Sequence, residues 1–400
     1  MRQHSRGSRW SLLTTALVVA LGLVLPGTAS AAPTWLGSWT TAMMASTTTD
    51  ITVPAYTVRS AAHISVGGSQ VRLRLSNRYG EKAAAIGHVT ASLGGGPAAN
   101  QAPKSLSFGG RRSVSIPAGG EVLSDPLAMA VSSGANVLVS IHVTASPKQV
   151  TYHRSAKQDS FIATDAADHA ADTSGAAFTK KTGSWYFMTA VDVQSPTATR
   201  SVATLGDSIT DGAGSTYGNH RYPDVLARRL LSLPANQQRG VLNAGIGGNM
   251  VLRDGANGQA AVTRVKWDVL QRTGVRTLIV LEGINDIRRA GGPPTAVQLT
   301  DGYRKIIDAA RAKGIRVLGG TLLPFKGSKP WSDQLESVRT QVNTWIRTSG
   351  AFDAVVDFDA VMRDPADPKK MRATHSTTDW LHPNNTGYEA MGNAVDLAKL

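Results

Sequence analysis

From Ser201 onward, short apolar runs alternate with segments whose apolar residues recur at about 3.6-residue spacing. No other feature of the chain constrains its fold as strongly. Strands are predicted over residues 202–205, 241–242, 277–281, 315–318 and 354–356, and helices over 222–231, 300–313 and 334–348. Strand–helix alternation of this kind implies an α/β domain over residues 200–400, with a parallel sheet and helices on both faces. In such a domain ligands sit beyond the carboxyl ends of the strands.

The stretch from 33 to 195 has a different character. Val71-Arg72-Leu73-Arg74-Leu75 alternates apolar and charged residues, as a strand with one buried face does, and 137–143 and 185–193 are β-rich runs of the same kind. Glycine clusters at 94–96, 109–110 and 119–120 mark turns between such segments. Short strands with glycine turns and no sustained helical periodicity predict a β-sandwich or jelly-roll-like domain over 33–195. The polar, proline-containing stretch Gln194-Ser195-Pro196-Thr197 suits the boundary between the two.

The first 31 residues have the order of a secretory leader. Arg2, Arg6 and Arg9 precede an uncharged run over 11–25, Pro26 and Gly27 break it, and Ala29-Ser30-Ala31 offers a small-x-small cut site. The run is short for a membrane span, so the mature chain is expected to start near Ala32, secreted and extracellular, with no stable membrane anchor. The 400-residue chain has no cysteine, which excludes disulfides, a thiol nucleophile and Cys-ligated zinc. Its net charge is +14, but the basic residues are scattered, with no run of five. The charge therefore reads as attraction to acidic surfaces rather than as a nucleic-acid site.

Four short blocks carry chemistry. Gly206-Asp207-Ser208-Ile209-Thr210 follows the first predicted strand, Asn243-Ala244-Gly245-Ile246-Gly247-Gly248-Asn249 the second, and Gly283-Ile284-Asn285-Asp286 the third. Asp379-Trp380-Leu381-His382-Pro383-Asn384 lies in a loop-like stretch further on. Ester hydrolysis needs a serine hydroxyl, a histidine to take its proton and a carboxylate to orient that histidine. It also needs preorganised donors for the developing oxyanion, which backbone amides beside glycine and an Asn side chain can supply. Singly each block is a weak signal; together, in order and with the first three at predicted strand ends, they point to one site.

Over about 201–400 the chain resembles the SGNH/GDSL hydrolases, which carry these blocks in this order. The resemblance implies a three-layer α/β/α domain, with Ser208 as nucleophile, His382 as general base and Asp379 as the orienting acid. It also implies an oxyanion hole built from the Ser208 and Gly248 backbone amides and the Asn285 side chain, with Gly245 and Gly247 as competitors of Gly248. In that family the serine block usually lies near the mature N-terminus, whereas here a β-rich domain precedes it. The layout is similar to exported, actinobacterial-type GDSL esterases with an N-terminal β domain.

Other residues have competing readings. Asp207 supports the serine turn by local hydrogen bonding, His375 reads as a solvated loop histidine, and Asp357 or Asp359 are alternatives to Asp379. Trp380, Trp331 and Phe325 either line the substrate pocket or belong to the core. No His-x-x-x-His pair suggests a metal site. The function expected is that of a secreted serine esterase or lipase working through an acyl-enzyme without a cofactor, on polysaccharide-linked acetyl or feruloyl groups or on lipid esters. The rivals are an acyltransferase acting on cell-wall sugars, which shares the nucleophile, and a carbohydrate-binding protein with a relic hydrolase domain.

Overall fold

The parallel sheet of the second half has five strands, in the spatial order Gly240–Gly245, Ser201–Gly206, Val275–Leu281, Arg316–Gly320, Ala354–Val356. The computed structural model describes residues 1–2, 7, 33–46, 51–289 and 291–400. The apolar run and cut site expected in the leader lie outside the described residues. Among those residues no helix is long and apolar enough to cross a membrane.

Every strand predicted in this half is present, most of them longer by one to four residues. Their near-continuous burial follows from helices covering both faces. The helices are α1 (Ser208–Asp211), α2 (Tyr222–Leu231), α3 (Ala261–Val265), α4 (Ile284–Arg288), α5 (Ala296–Arg311), α6 (Asp333–Thr348), α7 (Phe358–Met362) and α8 (Asn385–Ala394). They pack in two groups, α2 with α7 and α8, and α3 to α6 together, giving the outer layers of an α/β/α domain. The predicted helix 300–313 in fact begins at Ala296, because Thr295 caps it: its hydroxyl accepts from the Gln298 N–H while the Gln298 side chain accepts from the Thr295 N–H. Ser332 caps α6 through its hydroxyl alone, which accepts from the Leu335 N–H.

Residues before Ser195 build antiparallel sheets, as a β domain of sandwich or jelly-roll type requires. One sheet runs Thr34–Thr40, Met188–Ser195, Val71–Ser76, Glu121–Leu123; a larger one is centred on Tyr56–His63, Asn136–Ala145 and Ala84–Leu93. A three-stranded sheet sets Thr151–His153 between Trp185–Tyr186 and Met44–Ala45. The β-rich run 185–193 is broken at Phe187, whose φ of 58° interrupts the extended backbone.

Residues 33–400 form one compact unit, and one buried apolar cluster runs through both halves, from Leu36 and Val193 to Leu242 and Val275. The β half covers the exposed edge of the parallel sheet. Ser65 Oγ accepts from the Val241 N–H at 2.8 Å, Gly37 N donates to Thr273 O at 2.8 Å and Ser201 Oγ donates to Gly37 O at 2.7 Å. The backbones approach so closely that a Cβ on Gly240 would collide with the Gly37 carbonyl oxygen.

Candidate active site

Ser208 is the first residue of α1, directly beyond the Ser201–Gly206 strand. The turn leaves no room for a side chain at Gly206, where a Cβ would collide with Thr210 Oγ1 and Leu281 O. Asp207 caps the helix by accepting from the Ile209 N–H at 2.9 Å, and Gly212, in the left-handed region at φ 103°, ends it. The local bonding expected of Asp207 is therefore present. Its burial pushes the carboxyl up to about 7, against the pull of the Ile209 N–H.

Ser208 Oγ lies 2.9 Å from His382 Nε2, and His382 Nδ1 lies 2.6 Å from Asp379 Oδ2. The other carboxylate oxygen of Asp379 accepts from the N–H groups of Leu381 and His382, at 2.9 and 3.0 Å, and from the Thr377 hydroxyl at 2.6 Å. Partial burial raises this carboxyl, but the donors from Thr377, His382 and Leu381 outweigh it and hold it well below the usual carboxylate range. Trp380, between the two residues, adopts a left-handed backbone at φ 55°, folding the loop so that one carboxylate reaches both the main chain and the ring. Its indole packs where a Cβ on Gly327 would otherwise stand.

The competing candidates are engaged elsewhere. Asp357 and Asp359 are bonded to Arg347, and Asp359 also to Arg339. His375 bonds to the Thr374 hydroxyl. Phe325 is fully buried core, whereas Trp331 and Trp380 are part-exposed, with Lys326 and Lys370 over their rings.

The three glycine amides of the loop are engaged differently. Gly245 N donates to Asn243 Oδ1 at 2.9 Å and Gly247 N to Asp211 Oδ2 at 3.0 Å, so both amides are occupied. Among the described residues no hydrogen bond takes up the Gly248 N–H, and Gly248 holds a φ of 80°. Asn285 Nδ2 donates to Asn249 O at 3.0 Å, which ties the third block to the second and leaves its other N–H available.

Three further residues hold this frame. Arg264, fully buried in α3, donates to Gly206 O, Ala244 O and Asn249 Oδ1, at 2.8, 2.7 and 2.7 Å, and contacts Glu282 and Asp268 at 3.2 Å. One guanidinium thus links the ends of three strands to the glycine loop. Asp286 accepts from the N–H groups of Val251 and Leu252, at 2.8 and 3.0 Å. Asp211 is bonded to Gly247 and, at 3.0 Å, to His153 of the β half. Nothing in the sequence marks Arg264 or His153: Asp268 is a near partner of Arg264, but the bonds from Arg264 to Gly206 and from His153 to Asp211 each span 58 residues; Asp211 and Asp286 lie in or beside the blocks.

A second serine–histidine–aspartate cluster exists in the β half, with His88 Nε2 2.8 Å from Ser105 Oγ and Nδ1 2.9 Å from Asp168 Oδ2. There Arg112 approaches the same Nδ1 at 2.6 Å. The same Arg112 amine donates to Asp168 Oδ2 at 3.0 Å, so this carboxylate is shared with a guanidinium, whereas Asp379 meets only main-chain N–H groups, a threonine hydroxyl and the histidine. Among the described residues, no group of three or more His, Cys, Asp or Glu side chains is placed to hold a metal ion.

The sequence matches the family model of GDSL-like lipases and acylhydrolases over residues 204–390. This part of the chain belongs to the GDSL-like lipase/acylhydrolase family. All four chemical blocks lie within the matched span, and the protein is a carboxylic ester hydrolase. A comparison with curated proteins finds no match. Among solved structures, the GDSL chain is similar to a GDSL-like lipase from Bacteroides thetaiotaomicron, with 18% identity, 50% of this chain and 87% of that one covered, and a TM-score of 0.39. It is similar to a carbohydrate acetylesterase from Sinorhizobium meliloti at 16% identity, covering 49% and 95%, with a TM-score of 0.39. A family two carbohydrate esterase from Cellvibrio japonicus is similar over 91% of this chain and 93% of its own, at 11% identity and a TM-score of 0.36.

Proposed function

We propose that this hydrolase is a secreted serine esterase that cleaves short- to medium-chain esters through an acyl-enzyme on Ser208. The observation that carries the reading is the unbroken line from Ser208 Oγ to His382 Nε2 and from His382 Nδ1 to Asp379 Oδ2, at 2.9 and 2.6 Å. Asp379 fixes the Nδ1–H tautomer, which leaves Nε2 unprotonated and facing the hydroxyl. As Oγ attacks the ester carbon its proton passes to Nε2. The carbonyl oxygen becomes an oxyanion, met by the amides of Ser208 and Gly248 and the Asn285 side chain. Collapse expels the alcohol, which takes the proton back from Nε2. Water activated by the same nitrogen then releases the acid.

Acetyl or feruloyl groups on polysaccharide, and simple lipid esters, are the substrate classes proposed. One feature supports a small acyl group: no long apolar lid segment stands out in the sequence. The leader-like order of residues 1–31 supports secretion.

The test is hydrolysis of a p-nitrophenyl ester series, from acetate upward, by the mature protein and by Ser208→Ala. Turnover that falls with acyl length and vanishes in the variant is expected. Equal activity of the two proteins rejects Ser208 as nucleophile, and no turnover of any ester rejects the esterase reading.

A further inference from the structure

His153 stands on the Thr151–His153 strand of the β half, 98% shielded from solvent, and the chemistry of the second half reaches it directly. Its Nδ1 lies 2.8 Å from the Ala42 carbonyl oxygen and its Nε2 lies 3.0 Å from Asp211 Oδ1. The Ala42 carbonyl is a pure acceptor, so Nδ1 carries a proton, and with Asp211 ionised Nε2 donates as well, making the pair an imidazolium and a carboxylate. Burial alone pushes an imidazole down, but here the Asp211 charge and the bonds to Asp211 and Ala42 outweigh it and raise the ring above its ordinary value. The ring packs against Trp185 at 5.4 Å between centroids; Trp185 in turn meets Trp39 edge-on at 5.0 Å and donates from Nε1 to Ala61 O. The imidazolium is therefore held on a rigid aromatic floor.

Asp211 is the last residue of α1, whose first residue is Ser208. Its second oxygen accepts from the Gly247 N–H at 3.0 Å, one residue before Gly248. A Cβ on Gly247 would lie only 4.0 Å from Ser208 Cβ, so this is the part of the loop that flanks the nucleophile. The β half grips the same loop further out, where Arg154 donates to Asn257 Oδ1 at 3.0 Å and Tyr79 to Gln259 Oε1 at 3.3 Å.

We propose that His153 is a positioning residue for ester hydrolysis: through Asp211 it holds Gly247, and so aims the adjacent Gly248 amide at the oxyanion formed on Ser208. The proposal rests on the esterase reading and gives the β half a part in the chemistry. An imidazolium pins both Asp211 oxygens by fixing the carboxylate plane. Without it, Asp211 is free to rotate and the Gly247 peptide with it, and an oxyanion donor displaced by even about 1 Å loses much of its worth.

The experiment compares the full-length wild type with His153→Asn and His153→Gln. The Asn amide matches Nδ1 and keeps the Ala42 bond but falls short of Asp211. The Gln amide matches Nε2 and restores a neutral donor to Asp211. Measurements are kcat and KM on p-nitrophenyl acetate, and affinity for an alkyl trifluoromethyl ketone, which Ser208 converts to a tetrahedral oxyanion. A graded loss is expected: roughly 10- to 100-fold in kcat for Asn and a few-fold for Gln, with KM within about twofold and ketone affinity falling in step with kcat. Equal kcat in all three proteins overturns the proposal, as does a loss of kcat with ketone affinity unchanged. If the Asn variant does not fold, His153→Phe, which keeps a ring against Trp185 but offers Asp211 no donor, takes its place: wild-type kcat and ketone affinity in that protein overturn the proposal. A wild type inert toward every ester overturns the esterase reading and this proposal with it, whereas an active wild type with indifferent variants removes only this one.

Discussion

Asp207 and Ser208 are neighbours in sequence, yet one sits in a fully buried acidic pocket and the other meets a histidine at the surface of the sheet edge. Burial, with Glu282 and Asp286 close by, keeps the Asp207 carboxyl protonated up to about 7. The folded protein therefore binds a proton at Asp207 that the unfolded chain releases near its ordinary value of 3.8. Stability drawn from this residue falls as pH rises from about 4 to about 7. Asp207→Asn keeps the acceptor for the Ile209 N–H and removes the titration. Its unfolding midpoint in denaturant should gain on wild type between pH 5 and pH 8, and a constant difference would count against the buried-acid account. At this scale the sequence was legible where partners are near in the chain: Asp379 and His382 share a turn, and Ser208 follows an apolar run. It was silent on Arg264, whose bond to Gly206 spans 58 residues, and on His153, which lies 58 residues from Asp211. The choice among Gly245, Gly247 and Gly248 was open in the sequence, because backbone amides differ only by what they bond in three dimensions.

The strands of the parallel sheet were readable because burial on both faces leaves continuous apolar runs, such as Thr277-Leu278-Ile279-Val280-Leu281. The start of α5 was displaced because capping by Thr295 and Gln298, not apolar periodicity, sets it. What no periodicity foretells is how the strand ends are fastened together. Arg264 does this from α3, in contact with Asp268 and Glu282, and burial raises both carboxyls despite its charge. Replacing it with methionine leaves three backbone or amide acceptors and two acids without their donor. Arg264→Met should cost about 3–5 kcal/mol of stability, read by chemical denaturation. A loss under about 1 kcal/mol, on the scale of an exposed pair, would show that the cluster relaxes around the gap.

At the scale of the whole molecule, the two halves read from the sequence are present as distinct architectures, but their joint was not visible in it. The Gly240–Gly245 strand would be an open sheet edge without Ser65, and Leu36 packs in the same cluster as Leu242. Residues 200–400 expressed alone should therefore aggregate and hydrolyse no ester. Gel filtration and the p-nitrophenyl assay check this, and a monomeric, active fragment would show the β half to be dispensable. The contact between Ser208 and His382 joins positions 174 residues apart in the chain. No local segment can make that meeting ahead of the rest, so a molecule caught partway through folding has a serine without its proton acceptor. Turnover is then a census of fully assembled molecules: in a half-denatured sample, the rate should report how many molecules are native and not how well each one works.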